Sequence, residues 1–352
     1  MIRSALAALA LALPAAAQEP PPFPTAGDLA AAIAAHDVPG VAMATLTGCT
    51  PGGTVTAGLA DVAAGAPVTA DTAFEAASLT KAVFATIVMQ LVDEGVIDLD
   101  APFAETFAYP RIPDPRYARL TPRLVLTHRT GLPNWVDEGT DFHDRTAPIP
   151  FEAEPGTAFT YSGEGFQLLQ AFVEDRTGAT FEALFAARLG AVMPRSAVAR
   201  PVPAGVVPAT AYADASGAEP RGLDNLADRA MAASSLVTTA DDYARFLAFV
   251  CDGAGLEPAT WAEMTRPQSP VPPEVLRIGE DGIEPPPGSW GLGWMILDVG
   301  TPMVGHGGSN DEFNAFAGFL PATGEGIVLL TNGRNGEKMV ETVMAGLTPP
   351  PG

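Results

Sequence analysis

The hydrophobic and polar positions of this chain change period several times, and each change predicts an element. Residues 27–36 carry apolar side chains at helical spacing and stop before Pro39-Gly40, which predicts an amphipathic helix. Residues 41–46 and 54–59 are short apolar or β-branched runs divided by Gly48, Pro51, Gly52 and Gly53, the pattern of a hairpin. The run 82–92 is apolar on nearly every side, carries no charge until Asp93 and Glu94, and meets a stop at Gly95. That predicts a core helix starting near Ser78.

Beyond residue 98 the pattern turns irregular, with Pro110, Pro113, Pro115 and Pro122 breaking the chain. Helical spacing returns over 120–128, which ends at Gly131, and over 165–175, 181–189 and 240–250. Residues 201–228 are rich in Ala, Gly and Pro with weak periodicity and read as an extended excursion. Strand-like runs follow at 290–297, 313–320 and 326–330, and 335–347 closes the chain as a helix. The expected fold class is α+β: the first hairpin and the late strands form one antiparallel sheet flanked by the terminal helices, with a mostly helical region inserted between them. There is no internal repeat.

Composition narrows the picture. At 352 residues and 47% hydrophobic content, the chain has ample material for a core. Its first residues read as a signal peptide over 1–17, with Arg3 as the positive start, 4–13 as a short apolar region and Ala15-Ala16-Ala17 as the cleavage site. A Pro-rich spacer over 18–25 follows, and then one domain over 26–347, its α/β part covering about 26–80 and 285–347 and its helical part about 81–284. That apolar start is too short to cross a bilayer and no later run reaches the length of a spanning helix, so a protein exported to the periplasm or medium by its signal peptide, with no membrane span, is expected.

A net charge of −22 argues against nucleic acid or an anionic membrane as partner and leaves a preference for cationic substrates open. Cys49 and Cys251 can form one disulfide in an oxidising compartment or remain two buried thiols. His36, His128, His143 and His306 have no ligand spacing, so neither a metal nor another cofactor is called for. The oligomeric state is left open.

Three motifs carry chemistry. In Ser78-Leu79-Thr80-Lys81 the serine and lysine share a helix face, so the amine rises beside the hydroxyl. A serine hydroxyl needs a base, and a lysine serves as one where burial keeps it neutral. Of 19 basic residues only Lys81 and Lys338 are lysine, and arginine cannot take this role. Taken alone, the pair is also what a helix cap followed by an ordinary lysine looks like. Tyr161-Ser162-Gly163, after the Pro155-Gly156 turn, reads alone as a structural loop, whereas the glycines of His306-Gly307-Gly308 let another backbone approach a strand closely.

In this order and spacing, the three motifs resemble those of the serine β-lactamase and D,D-peptidase superfamily, in its class C-related branch, and so imply a β-lactamase/transpeptidase-like fold. Leu126-Thr127-His128-Arg129-Thr130-Gly131-Leu132, residues 233–242 and Trp290-Gly291-Leu292-Gly293-Trp294 resemble further family segments, over roughly 26–347. The resemblance implies that Ser78 forms an acyl-enzyme, that Lys81 takes its proton, and that Tyr161 shares proton transfer. It also implies an oxyanion hole from the backbone N–H groups of Ser78 and Ser309.

His306, Gly307, Gly308 and Gly163 fall at substrate-binding positions, and Asn134 and Trp135 either border the pocket or form a structural loop. Class C β-lactamases have lysine where this chain has His306 and asparagine where it has Gly163. A partly charged His306 facing a substrate carboxylate is one expectation that follows. The implied activity is serine hydrolysis of D-amino-acid peptides, of the D,D-carboxypeptidase or D-aminopeptidase type, on a small-molecule or peptide substrate. The alternatives are an esterase or weak β-lactamase on the same scaffold, or a binding module that has lost turnover. No G-x-S-x-G elbow or phosphate-binding loop is present.

Overall fold

The structure, a computed structural model, describes residues 23–136, 146–276 and 286–347. The signal-peptide expectation, most of the spacer and His143 lie outside them.

Helix α1 (Ala26–His36) is capped by Thr25 and followed by strands β1 (Gly40–Thr47), β2 (Thr50–Asp61), β3 (Ala66–Pro67) and β4 (Thr72–Ala77), then helix α2 (Leu79–Asp93). The middle holds α3 (Pro122–Leu126), α4 (Gly163–Thr177), α5 (Phe181–Arg188), β5 (Val207–Pro208), β6 (Leu236–Thr238), α6 (Ala240–Cys251) and α7 (Pro258–Thr265). The last part runs β7 (Ser269–Pro270), the single turn α8 (Pro273–Leu276), β8 (Gly288–Trp290), β9 (Met295–Asp298), β10 (Pro302–Asn310), β11 (Phe313–Phe319), β12 (Gly326–Thr331) and α9 (Gly336–Leu347).

The main sheet has the order β3-β2-β1-β12-β11-β10-β9-β8-β7. Its seam is the antiparallel pairing of β1 with β12, from Val41↔Thr331 to Leu46↔Gly326, which joins the first hairpin to the last strands. Side chains alternate across this seam with period two. Val41, Met43, Ile327 and Leu329 enter the core under α1 and α9, whereas Ala42, Ala44, Leu46, Val328 and Leu330 enter the larger core that holds α2 and α6. Both faces are covered, so these strands read as continuous apolar runs.

Several elements differ from expectation. The run 290–297 is two strands, β8 and β9, because the chain leaves the sheet at Gly291–Trp294 to reach the helices, where Gly293 N–H donates to the Leu126 carbonyl at 2.8 Å. The β4 strand, wholly buried, carries Glu75 and runs straight into α2 with no Gly or Pro to mark its end. It sits between β5 and β6 in a small second sheet whose pairing with β6 is irregular between Glu75 and Ala77. The excursion 201–228 contributes β5 to that sheet, pairing in parallel with Thr72 and Ala73. Among the described residues, no helix is long and apolar enough to cross a membrane.

Cys49, at the β1–β2 turn, is bonded to Cys251 at the end of α6, with Cα atoms 5.6 Å apart and a sequence separation of 202. Closing so long a loop restricts the unfolded chain strongly. Reduction, or Cys251→Ser, is expected to lower stability by about 2–5 kcal/mol, read as a lower urea midpoint, and an unchanged midpoint contradicts this.

Candidate active site

The second sheet exists in effect to deliver Ser78. Irregular pairing at the end of β4 and a left-handed Ala77 (φ 47°) turn the chain sharply from strand into α2. Thr80 locks the turn, donating from Oγ1 to the Ala77 carbonyl at 2.5 Å and accepting from Leu236 N–H at 2.9 Å. Ser78 stands at the helix N-cap position, as its residue type predicts, yet with helical φ −65° and ψ −10° and no capping bond from its side chain. Its hydroxyl therefore stays available, and Lys81 Nζ donates to it at 3.0 Å.

Lys81 is 1% exposed. Its amine donates to the Ala233 carbonyl at 2.8 Å and lies 4.7 Å from the centre of the Tyr161 ring and 5.7 Å from that of Phe166. Burial in this apolar frame pushes its pKa down to about 7. With one proton fixed on Ala233, a neutral amine can turn its lone pair towards Ser78. Tyr161 bonds through its hydroxyl to Ser78, and its surroundings raise that hydroxyl well above the ordinary phenol range, so it stays protonated.

Tyr161 is held from both sides by His128, a residue that sequence reasoning placed only within a family-like segment. The His128 carbonyl accepts from Thr160 N–H at 2.7 Å, its Nδ1 accepts from Ser162 N–H at 3.0 Å, and its ring lies 4.3 Å from the tyrosine ring. Ser162 then caps α4 by accepting from Gly165 N–H at 2.8 Å.

Asn134 and Trp135 pack at the same corner. Asn134 accepts through Oδ1 from Gly163 N–H and through its carbonyl from Glu164 N–H, both at 3.0 Å. A Cβ at Gly163 would stand 2.7 Å from the Trp135 ring, so a side chain there has no room while the indole keeps its place. Asn134 and Trp135, both half-exposed, thus border the site and also support the tyrosine segment.

The third motif lies on β10. Strand β9 pairs with β10 only as far as Gly305, so from His306 onward that edge of the strand is not paired with β9. Gly308 approaches the nucleophile turn closely: a Cβ on it would stand 2.4 Å from the Ala76 carbonyl and 3.2 Å from Ser78 N. Ser309 follows, exposed.

His306 corrects the expectation of a partly charged imidazole facing substrate. It is 1% exposed, its ring packs edge-on against Trp290 at 5.1 Å, and its Nδ1–H donates to the Gly307 carbonyl at 2.6 Å. Burial, with a smaller contribution from nearby Lys81, pushes its pKa down to about 3. His128 is likewise held well below the ordinary range by burial. Both imidazoles are neutral at working pH. No group of three or more His, Cys, Asp or Glu side chains is placed to hold a metal ion among the described residues.

The family model described as Beta-lactamase matches residues 26–344. The chain belongs to that family. Within it, the chain is 27% identical over 327 residues to penicillin-binding protein 4 of Amycolatopsis lactamdurans, covering 85% of this chain and 82% of that protein. It is 28% identical over 335 residues to esterase EstB of Burkholderia gladioli, covering 78% and 81%. Two solved structures share the Beta-lactamase-family fold at low identity. A D-amino acid amidase from Ochrobactrum anthropi SV3 has a TM-score of 0.71 at 24% identity, covering 91% of this chain and 98% of that one. A penicillin-binding protein from Bacillus halodurans has 0.73 at 22%, covering 91% and 98%. The protein is a serine hydrolase of this family.

Neutral buried imidazoles make stability pH-dependent with a defined sign. The folded pKa of His306 lies below its ordinary 6.5, so the unfolded chain binds more protons between the two values. Stability is therefore complete above 6.5 and is lost as pH falls towards 3. The loss is at most about 1.4 kcal/mol per pH unit for each imidazole. Urea unfolding across this range is expected to show that slope, and His306→Asn is expected to reduce it.

Proposed function

We propose that the chain is an exported hydrolase that cleaves ester and amide bonds of small acyl donors through a Ser78 acyl-enzyme, with D-amino-acid amides and short peptides of the D-aminopeptidase type as its substrates. The observation that carries the reading is the buried Lys81 amine, brought to about 7 and 3.0 Å from the Ser78 hydroxyl. In this reading neutral Lys81 takes the proton as Ser78 Oγ attacks the carbonyl carbon. The developing oxyanion is held by the N–H groups of Ser78 and Ser309, donors typically worth about 3–4 kcal/mol each. Tyr161, kept protonated, gives its proton to the leaving group and recovers one from the water that later cleaves the acyl-enzyme, while Lys81 returns its proton to Ser78 Oγ as the acyl group departs. Intact proton-transfer geometry counts against a module that only binds.

The neutral His306 supports the substrate class. A D,D-carboxypeptidase or β-lactamase substrate brings a carboxylate to the third motif, and here that position offers no charge. A neutral amide or ester needs none. The similarity to a D-amino acid amidase and to an esterase supports the same direction, with an esterase as the second reading. Export is supported by the apolar start of the sequence and by the disulfide.

Intact mass and product release with a p-nitrophenyl ester, a D-amino-acid amide, a D-alanyl-D-alanine peptide and a penicillin test the reading, with Ser78→Ala as control. Turnover of the ester and the amide that requires Ser78 is expected, and preference for the free-carboxylate peptide overturns the substrate class. The acylation rate is expected to rise with pH through about 7 as Lys81 loses its proton. Lys81→Arg should cost about 10²–10⁴-fold, since arginine stays charged. A flat pH profile contradicts the role of Lys81.

A further inference from the structure

Three residues before the nucleophile, Glu75 is a carboxylate without a part in the steps above, and it is 2% exposed. Its burial is costly, and desolvation raises its pKa. It is compensated by three hydrogen bonds from two distant segments. Asn225 of the excursion donates from its backbone N–H to Oε1 at 2.8 Å and from Nδ2 to Oε2 at 2.7 Å, and Asn310 Nδ2 donates to Oε2 at 2.7 Å. Asn310 is the last residue of β10 and directly follows Ser309. A second tie runs alongside, where Arg221 of the excursion pairs at 2.8 Å with both Asp311 and Glu312, just past the end of β10.

We propose that Glu75 is a positioning residue that sets the spacing of the two oxyanion donors by clasping the nucleophile strand to the end of β10. The inference rests on the oxyanion hole assigned above. Ser78 N directly follows β4 of the small sheet and Ser309 N lies on β10 of the main sheet, and no strand pairing joins β4 to β10. Close approach at Gly308 brings the backbones together without fixing how far one slides along the other. Glu75 supplies that restraint, since it sits on the nucleophile strand and holds the residue beside the second donor. A packing role alone would be served by an apolar side chain, with no charge to bury.

The test compares wild type with Glu75→Gln and Asn310→Ala in hydrolysis of a p-nitrophenyl ester and in binding of a boronic acid, whose adduct carries the tetrahedral oxyanion. Rates are normalised to the Ser78 titrated by prolonged fluorophosphonate labelling. The expected result is kcat lower by about 10- to 100-fold with little change in KM, and boronate affinity lower by a similar factor, because only the transition-state contact is displaced. A purely structural role lowers the titratable fraction and leaves kcat per active site unchanged, which overturns the proposal. So does an equal loss of kcat without loss of boronate affinity. If Glu75→Gln does not fold, Asn310→Ala decides by the same criteria, since it leaves the Asn225 bonds to the carboxylate in place. A wild-type protein that neither labels nor turns over removes the oxyanion-hole reading itself, whereas a reactive wild type with unaffected variants removes the clasp alone.

Discussion

The desolvation of a single amine is the constraint on which the rest of this structure depends. Lys81 is buried in the first turn of a helix with apolar residues on nearly all sides, and burial is the cause that brings its pKa to about 7. Each neighbouring element serves this condition. The Ala233 carbonyl fixes one proton of the amine, the Tyr161 and Phe166 rings exclude water from its flank, and the turn at Ala77 holds Ser78 within reach. A fully solvated lysine at the same helical spacing would remain an ammonium ion and give no base.

Holding that site requires two sheets, with β4 of the small one packed beside β10 and β11 of the main one. The main sheet is continuous from the N-terminal hairpin to β7, and its β10 strand continues past the last β9 partner next to the nucleophile turn. The small sheet carries β4, whose irregular end aims Ser78 along α2. Because the chain leaves the main sheet after β3 and returns at β7, the helical region is built around α2 and supplies the rings, carbonyls and caps that hold the motifs.

Much of this was legible in the sequence, and the reasons for the remainder are physical. The helices α1, α2, α4 and α6 follow from residue spacing, and β1, β11 and β12 from apolar runs bounded by Gly and Pro turns. The β4 strand does not, since its six residues include Glu75 and pass into α2 with no Gly or Pro to mark their end. The break at Gly291–Trp294 depends on a hydrogen bond to Leu126, and nothing local announces it. The Ser-Lys spacing is local and so could be read directly. The state of His306 depends on Trp290 and on its own turn at Gly307, so the residue type suggested a charge that its surroundings remove. The bracing of Tyr161 by His128, 33 residues earlier, and of the nucleophile strand by Asn225 and Asn310 are contacts between distant segments that no single-sequence period reports.

The same surroundings separate the titrations of the groups that meet at the site. His128 and His306 are pushed below neutrality and Tyr161 above it, while Lys81 is drawn into it, so the amine is the member of this cluster that exchanges a proton near pH 7. This bears on the third motif as well as on the first. A lysine in place of His306 would set a permanent cation near Lys81 and lower the basicity of the amine further. A neutral imidazole avoids that repulsion and gives up a charge that could pair with a substrate carboxylate. The identity of residue 306 therefore affects both the strength of the base and the charge of the acyl donor, and the two are coupled through the low-dielectric protein between them.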